Sequence, residues 1–154
     1  MIEIERVGRV NAPASDVWKV VSDANRAPDW FSFADRTDVV SGSGVGQRRT
    51  QHGRWDGKRS EIDQEIIEFT PDKVIAWKHT AERLDGKPAP VYSSSSVFRI
   101  ELEQDGDATV VRLRTLMLPR DTLRKIAMKL FGTRDITRRM EDSLHRLQGA
   151  VDGS

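Results

Sequence analysis

The feature that most constrains the fold of this chain is a long amphipathic stretch near its carboxy-terminal end, residues 121–151. Charged side chains are frequent in it, and its apolar residues recur mostly three or four positions apart, the spacing of one face of an α-helix. These apolar residues are Leu123, Ala127, Leu130, Ile136, Met140, Leu144, Leu147 and Val151. An unbroken helix of this length would measure roughly 45 Å at about 1.5 Å per residue. It therefore requires a wide apolar surface to pack against.

A glycine interrupts this stretch at position 132. Glycine in a helix interior costs about 1 kcal/mol relative to alanine, so we expect a kink or a short break there. The part from Ile136 onward is predicted to pack as core. The part from Leu123 to Phe131 is predicted to form a more mobile lid over a ligand cavity.

The residues before this stretch are predicted to supply a sheet. Residues 2–10 alternate between apolar and polar side chains, which is typical of a half-buried strand, and two short helices are predicted after Pro13 and over residues 26–31. Turn signals such as Asp56-Gly57 separate six further strands and join them as hairpins. These strands are predicted over residues 38–41, 45–51, 60–69, 74–80, 92–102 and 109–118. We therefore expect a single α+β domain, residues 1–154, with a seven-stranded antiparallel sheet.

Composition argues against several classes of protein. The formal charge of +1 is unlike that of a nucleic-acid-binding protein, which usually has a marked basic excess. The absence of cysteine rules out disulfides and thiolate chemistry. No apolar run reaches the roughly 18 residues of a membrane span, and the amino terminus lacks the apolar core of a signal peptide. We therefore expect a cytoplasmic protein that neither binds nucleic acid nor spans a membrane.

Several short motifs mark turns and core positions along nearly the whole chain. They are Asn11-Ala12-Pro13 before Val17-Trp18, Pro28-Asp29-Trp30, Gly42-Ser43-Gly44-Val45-Gly46, Phe69-Thr70-Pro71 before Ile75-Ala76-Trp77, and residues 140–147. In these motifs and in the order of its elements, the chain resembles the helix-grip fold of the START/Bet v 1-like (SRPBCC) superfamily, and within it the polyketide cyclase/dehydrase-like family. The resemblance implies a curved sheet wrapped around the long carboxy-terminal helix. Between them it implies a cavity that takes lipids, polyketides, hormones or other apolar molecules.

Candidate ligand-binding residues follow from strand alternation and from position near the expected cavity. They are Trp30, Trp77, His79, Tyr92, Ser94, Ser96, Met117, Leu123, Ala127 and Leu130. His79 and Tyr92 are also candidates for a catalytic acid or base. Plainer interpretations exist: Trp77 could simply fill the core, His79 could be hydrogen-bonded at the end of the sheet, and residues 93–96 could be a frayed strand end.

Two pairs of arginines could have either a ligand-binding role or a structural role. Arg48-Arg49 and Arg112/Arg114 could hold a ligand carboxylate, since arginine binds such groups through two parallel hydrogen bonds. Alternation sends about half of these side chains to solvent, where a strand charge needs no ligand. Both interpretations stay open at this point.

The sequence contains no compact set of catalytic residues. It lacks the Gly-x-Ser-x-Gly motif of many serine hydrolases. No carboxylate lies at metal-ligand spacing from the histidines, which are His52, His79 and His145. We expect neither a metal nor another cofactor.

Three functional hypotheses remain. The primary one is binding of a hydrophobic or aromatic small molecule, lipid- or polyketide-like, between the sheet and the carboxy-terminal helix. The second is a polyketide cyclase or dehydratase that uses the same cavity, with His79 or Tyr92 as acid or base. The third is a regulatory interaction module that uses Trp55, predicted at a hairpin tip, and the basic face of the long helix. A homodimer is one arrangement that such a surface would allow.

Overall fold

The computed structural model of the protein describes residues 1–89, 93–127 and 132–154, with only the backbone for Ser93, Ser94, Arg124 and Ala127. Its helices are α1 (Ala14–Val21), α2 (Ala27–Trp30), α3 (Thr122–Ala127) and α4 (Thr133–Asp152), and a 3₁₀ turn, Ala24–Arg26, leads into α2. Its strands are β1 (Ile2–Val10), β2 (Arg36–Ser41), β3 (Arg48–Trp55), β4 (Lys58–Thr70), β5 (Val74–Leu84), β6 (Lys87–Pro88), β7 (Ser93–Asp105) and β8 (Ala108–Pro119). The predicted α+β class and the seven long strands are confirmed, and the two-residue β6 is an additional strand.

The strands form one antiparallel sheet in the order β1-β8-β7-β5-β4-β3-β2, and β6 pairs with β5. Two-residue turns close three of the hairpins, and in two of these turns both central residues have positive φ angles. Asp56 and Gly57 have φ angles of 52° and 74°, and Asp85 and Gly86 have φ angles of 53° and 80°. A hairpin turn of type I′ needs this left-handed backbone at both central residues. The strand β6 falls in a stretch predicted as a loop, since two residues are too few to show a strand period.

The strand predicted over residues 45–51 has different bounds in the structure. β3 begins at Arg48 and continues to Trp55. Gly42, Gly44 and Gly46 have φ angles of 78°, 61° and 90°, which are incompatible with an extended strand. The residues before Arg48 therefore form a turn.

The face of the sheet that carries the main core is called the inner face. Strand alternation predicted its buried residues correctly on three strands: they are Ile75, Trp77, Phe98, Ile100, Leu102, Val111, Leu113 and Met117. Helix α4 packs into the same core through Met140 and Leu147, both fully buried, and Ile136 packs against its margin. The prediction that the helix from Ile136 onward belongs to the core is confirmed.

Helix α4 is held in place by close packing and by polar contacts. A Cβ at Gly8 on β1 would lie 3.2 Å from a side-chain carbon of Leu144, so the glycine allows α4 to approach the strand. The backbone N–H of Ser32 donates to Oγ of Ser143 at 2.9 Å. Arg146 donates to the carbonyl of Pro28 at 2.6 Å. These contacts fix α4 against β1 and against the loop region around α2.

Helix α3 covers six residues among those that the structure describes. Leu123 on it is 77% exposed, so this predicted ligand-binding residue lies at the surface. Residues 128–131, which include Leu130 and Phe131, lie outside the described residues, and the lid remains a prediction. Among the described helices, none is long and apolar enough to cross a membrane.

The opposite face of the sheet, called the outer face, carries interstrand ion pairs. Arg99 on β7 contacts Glu68 on β4, and its Nε donates to Glu101 at 2.7 Å. Arg114 on β8 donates to Glu3 on β1 at 2.5 Å and lies 3.5 Å from Glu101. These contacts fit a structural role for Arg114 in ion pairs between strands.

Candidate functional site

Three polar residues form one cross-strand row on the inner face. Arg49 on β3 lies opposite Gln64 on β4, and Gln64 lies opposite His79 on β5. Directly opposed residues of an antiparallel pair point to the same face. Arg49 is 7% exposed and Gln64 is 2% exposed, while the His79 side chain is 20% exposed. Thr37 and Gln51, which lie opposite each other on β2 and β3, are also buried.

Neutral acceptors hold the guanidinium of Arg49. Its Nε donates to Oε1 of Gln47 at 2.7 Å, and one Nη donates to the carbonyl of Ser22 at 2.9 Å. Among the described residues, no carboxylate oxygen lies within 4.0 Å of a guanidinium nitrogen of Arg49. Burial lowers the pKa of Arg49, and the charge of nearby Asp23 partly opposes that effect. An arginine remains protonated at neutral pH, so a positive charge is buried here.

A small internal cavity of about 20 Å³ adjoins Arg49. Its wall combines aromatic, polar and charged side chains, which are Val21, Asp23, Ala24, Ala27, Trp30, Phe31, Thr37, Arg49, Gln51, Gln64 and Trp77. Gln64 donates to Oε1 of Gln51 at 2.8 Å, and Gln51 donates to the carbonyl of Phe33 at 3.3 Å. These bonds orient both amides on the wall. The cavity has room for one water-sized polar group.

Five aromatic rings, the aromatic cluster, pack beside this cavity. Trp77 on β5 stacks on Phe98 on β7, with ring centroids 5.2 Å apart and planes 16° apart. Phe31 meets the two rings edge-on at 5.9 Å and 5.3 Å. Trp30 and Phe33 each lie 5.0 Å from Phe31. The stack on Phe98 therefore places one face of the Trp77 ring in the core.

Two buried ring nitrogens on β5 have no hydrogen-bond partner among the described residues. They are Nε1 of Trp77 and Nδ1 of His79. The Nδ1 of His79 lies 3.3 Å from Oε1 of Glu82, but the two atoms are not aligned as a hydrogen bond. Buried polar groups in folded proteins almost always have a partner. A ligand that supplies acceptors is one physical reason for leaving such nitrogens open.

The three histidines lie on separate elements of the fold. His79 is on β5, and His145 is on α4. His52 on β3 lies 3.1 Å from a carboxylate oxygen of Asp38 on β2. Within the described ranges, no group of three acidic or histidine side chains is placed to hold a metal ion.

The structure distributes the other predicted ligand-binding residues over several environments. Three are buried: Trp30, Trp77 and Met117. Ser96 is partly buried and lies opposite Met117. The register slips between Ser93 and Ser95, so strand alternation cannot be extended past this point. Tyr92 and Leu130, and the side chains of Ser94 and Ala127, lie outside the described residues.

A larger cleft of about 400 Å³ lies on the surface between α4 and the end of β3. Its lining residues are Ser32, Phe33, Asp35, Gly53, Arg54, Arg138, Arg139 and Asp142. Trp55, next along β3, lies under the guanidinium of Arg139, 5.4 Å from the ring centroid. Arg139 also lies 3.0 Å from Asp135 and donates to the carbonyl of Arg54 at 2.9 Å. Trp55 is thus held against α4, and this contact covers part of the surface that the interaction-module hypothesis assigns to it.

Sequence reasoning singled out neither Gln51 nor Gln64, and it gave Arg49 no preference over Arg48. Residues 48–54 of β3 include no large apolar side chain, so alternation alone cannot tell which face of this strand is buried. The pairing of β3 with β4 in the structure does so. Counting back from the turn at Asp56-Gly57 places Arg49 opposite Gln64, which shares the face of buried Ile66 on β4.

Residues 1–152 match the model of a protein family described as "Polyketide cyclase / dehydrase and lipid transport". No curated protein matches the chain. Among solved structures, Ara h 8.0201 is 14% identical over 99% of both chains, with a TM-score of 0.74. The Zhui aromatase/cyclase from Streptomyces sp. R1128 is 15% identical over 98% of this chain and 93% of its own, with a TM-score of 0.76. The Aha1 dimer from Colwellia psychrerythraea is 16% identical over 98% and 96%, with a TM-score of 0.68. These similarities establish the helix-grip fold.

Proposed function

The chain belongs to the polyketide cyclase/dehydrase and lipid transport family of the START/Bet v 1-like (SRPBCC) superfamily, and we propose that it binds a hydrophobic or aromatic small molecule, lipid- or polyketide-like. The ligand lies between the inner face of the sheet and the carboxy-terminal helix. The family description, which names polyketide and lipid chemistry, supports this class of ligand.

The observation that carries the proposal is the pair of buried nitrogens on β5. Trp77 Nε1 and His79 Nδ1 lack hydrogen-bond partners among the described residues, and Trp77 lines the small cavity whose wall combines aromatic and polar side chains. Leaving a buried polar group unsatisfied costs about 1–3 kcal/mol. A site with an apolar wall and a few placed polar groups is typical of small-molecule binding.

We assign the binding surface to the residues predicted from the sequence, together with Arg49 and Gln64 of the cross-strand row. On the inner face these are Trp77, His79, Ser96 and Met117, and Trp30 on α2 belongs to the same core. The other proposed residues are Tyr92, Ser94, Leu123, Ala127 and Leu130, of which Leu123 is exposed on α3. The aromatic cluster supplies flat surfaces for stacking.

Native mass spectrometry and a thermal-shift screen test the proposal. The purified protein is screened against fatty acids, fatty alcohols and plant polyphenols, and at least one class is expected to raise the melting temperature and to appear as a bound mass. A ligand that binds only the folded state raises the free energy of unfolding with the logarithm of the ratio of ligand concentration to Kd. No bound species and no shift across the panel would contradict the proposal.

A matched pair of variants locates the site. Met117→Trp adds bulk on the inner face, where Met117 is 6% exposed, whereas Leu118→Trp adds the same bulk at a neighbouring position that is 45% exposed. The first variant is expected to lose the ligand-induced shift and the second to keep it. If both variants keep the full shift, the ligand does not lie on this part of the inner face.

A second candidate function, a cyclase or dehydratase, is favoured by one specific contact. The carboxylate of Glu82 lies 3.3 Å from Nδ1 of His79 without being aligned as a hydrogen bond, and such catalytic hydrogen bonds often align only when substrate is bound. In that function His79 or Tyr92 exchanges a proton with a bound polyketide chain. Cyclisation of a poly-β-ketone thioester is measured for the wild type, His79→Ala and Glu82→Gln. Wild-type turnover in His79→Ala would exclude His79 as the acid or base.

A homodimer is a further part of the proposal. The Colwellia psychrerythraea neighbour is described as a dimer, and α3 presents apolar surface through Leu123 and Ile126. Size-exclusion chromatography with light scattering distinguishes one chain from two. A single-chain mass at the highest concentrations reached would contradict the dimer without affecting the ligand proposal.

A further inference from the structure

Arg49 differs from the other strand arginines in its surroundings. On the outer face, Arg83 donates to both carboxylate oxygens of Asp63 at 2.8 Å and 3.0 Å, and Arg99 contacts Glu68 and Glu101. Arg49 is more deeply buried than either, and its hydrogen bonds within the described structure go to an amide and a carbonyl oxygen. A buried charge is costly unless an opposite charge pairs with it.

A structural role accounts for part of this arrangement. Ser22 is the carboxy-terminal cap residue of α1, and a cation at that end of a helix interacts favourably with the helix dipole. The two bonds use Nε and one of the two Nη atoms. The remaining Nη forms no hydrogen bond with any described residue. The guanidinium is therefore held in a defined orientation with donor capacity left over.

We propose that the ligand is an organic acid and that its carboxylate is bound by Arg49, with Nε1 of Trp77 as a second donor. This inference rests on the proposed binding function and names the chemical class of the ligand. Trp77 and Arg49 both line the same small cavity. Arginine suits a carboxylate because its planar array of N–H groups can donate two hydrogen bonds to it.

The size of the cavity limits which part of the ligand enters it. A volume of about 20 Å³ has room for one oxygen of the carboxylate and not for the apolar body. The body then lies along the aromatic cluster toward His79 on β5. Gln51 and Gln64, whose amides are already oriented by hydrogen bonds, form the polar rim around the carboxylate. The ligand is thus an amphipathic acid with one terminal carboxylate.

Matched acids and esters test this assignment on the unmodified protein. Isothermal titration calorimetry at pH 7 compares palmitic acid with methyl palmitate and 2-naphthoic acid with methyl 2-naphthoate. In at least one pair the acid is expected to bind about tenfold or more tightly, because a hydrogen bond to a charged group is stronger than one to a neutral group. Equal affinity of acid and ester in every pair that binds overturns the inference and leaves the proposed function standing. No binding of any probe counts against both.

Three variants identify the residue responsible. Arg49→Gln is expected to remove the preference for the acid, Arg49→Lys to keep part of it, and Arg48→Gln, at an exposed neighbouring position, to keep all of it. The acid-to-ester ratio is the readout, so a general loss of stability in Arg49→Gln does not imitate the effect. A preference that survives in folded Arg49→Gln overturns the inference. If that variant does not fold, the wild-type ratio and Arg49→Lys decide.

Discussion

The two faces of this sheet use arginine in opposite ways. On the outer face, Arg99 contacts Glu68 on β4 and Arg114 contacts Glu3 on the neighbouring strand β1, and these groups are partly exposed. On the inner face, Arg49 is almost completely buried and is held by neutral acceptors. A partly exposed ion pair contributes at most about 1 kcal/mol, and a buried lone charge is destabilising. The charges of the outer face serve the fold, and the charge of the inner face is the one that we propose binds a ligand.

The difference follows from what each face contacts. Water screens the charges of the outer face. Because these groups stay partly exposed, they lose little of their hydration on folding. The inner face stabilises the fold mainly by burying apolar area, which contributes roughly 25 cal/mol per Å². Ile100 and Leu113 on this face are fully buried. Polar groups within that environment weaken it. Arg49, Gln64 and His79 nevertheless lie opposite one another across three strands, and we propose that ligand recognition is the reason.

The largest expected effect compares two adjacent residues of β7. Ile100→Ala, on the inner face, is expected to lower the free energy of unfolding by about 2–5 kcal/mol because it leaves a cavity in the core. Arg99→Ala, on the outer face, is expected to cost about 1 kcal/mol or less. Urea denaturation of both variants measures the difference. Equal losses would show that the two faces do not differ in the way described.

A smaller effect concerns acid pH and the outer carboxylates. The hydrogen bonds from Arg83 hold the pKa of Asp63 below its usual value. The unfolded chain therefore binds this proton at a higher pH than the folded one, so the stabilisation is present above a pH of about 4 and is lost as pH falls through the folded pKa.

Replacing Asp63 tests this linkage. Asp63→Asn is expected to lower stability at pH 7 by about 1 kcal/mol or less and to flatten the loss of stability on acidification from about pH 5 to pH 3. Chemical denaturation across that range is the measurement. Asp107→Asn is the control, since Asp107 is exposed and forms no ion pair with another described residue. An unchanged slope in Asp63→Asn would show that this carboxylate does not contribute to the acid sensitivity.

The smallest expected change in stability concerns the indole of Trp77. Trp77→Phe removes apolar area, but it also removes a buried N–H that has no partner in the described structure. The two terms oppose each other, so the free energy of unfolding is expected to change by less than about 1 kcal/mol.

Trp18→Phe is the comparison for this prediction. Trp18 is also buried and packs edge-on against Phe69 at 5.2 Å, so the same truncation there brings no compensating relief and is expected to cost more. Thermal and urea denaturation rank the two variants. If Trp77→Phe is the more costly change, the indole N–H is not a source of instability.

Much of the fold could be predicted because its signals are local. The alternation of Phe98, Ile100 and Leu102 gave the inner face of β7, and the Asp56-Gly57 pair gave a tight hairpin turn. Bulges could not be predicted in this way. The register shifts between Asp63 and Gln64 on β4, where the sequence shows only an ordinary run of polar residues.

The candidate site was predictable only in part. Trp77 and Met117 were placed on the inner face because apolar neighbours at alternate positions fixed the direction of their strands. His79 followed from the same strand, and the structure places it in the row with Gln64. Tyr92 and Leu130 lie outside the described residues, so their roles remain predictions. The surface position of Leu123 was not predictable, since the end of an amphipathic pattern does not reveal which part of it is covered.

The sequence by itself determined the element order, the antiparallel hairpins and the packing of α4 from Ile136 onward. These depend on periodic apolar residues and on turn residues with restricted backbone angles. Only the tertiary structure decided between Arg48 and Arg49. Two neighbouring arginines on a strand point to opposite faces, and a strand without large apolar residues carries no record of which face is inward. Pairing with β4 supplied that information, because Gln64 shares the face of Ile66 and Arg49 lies opposite Gln64.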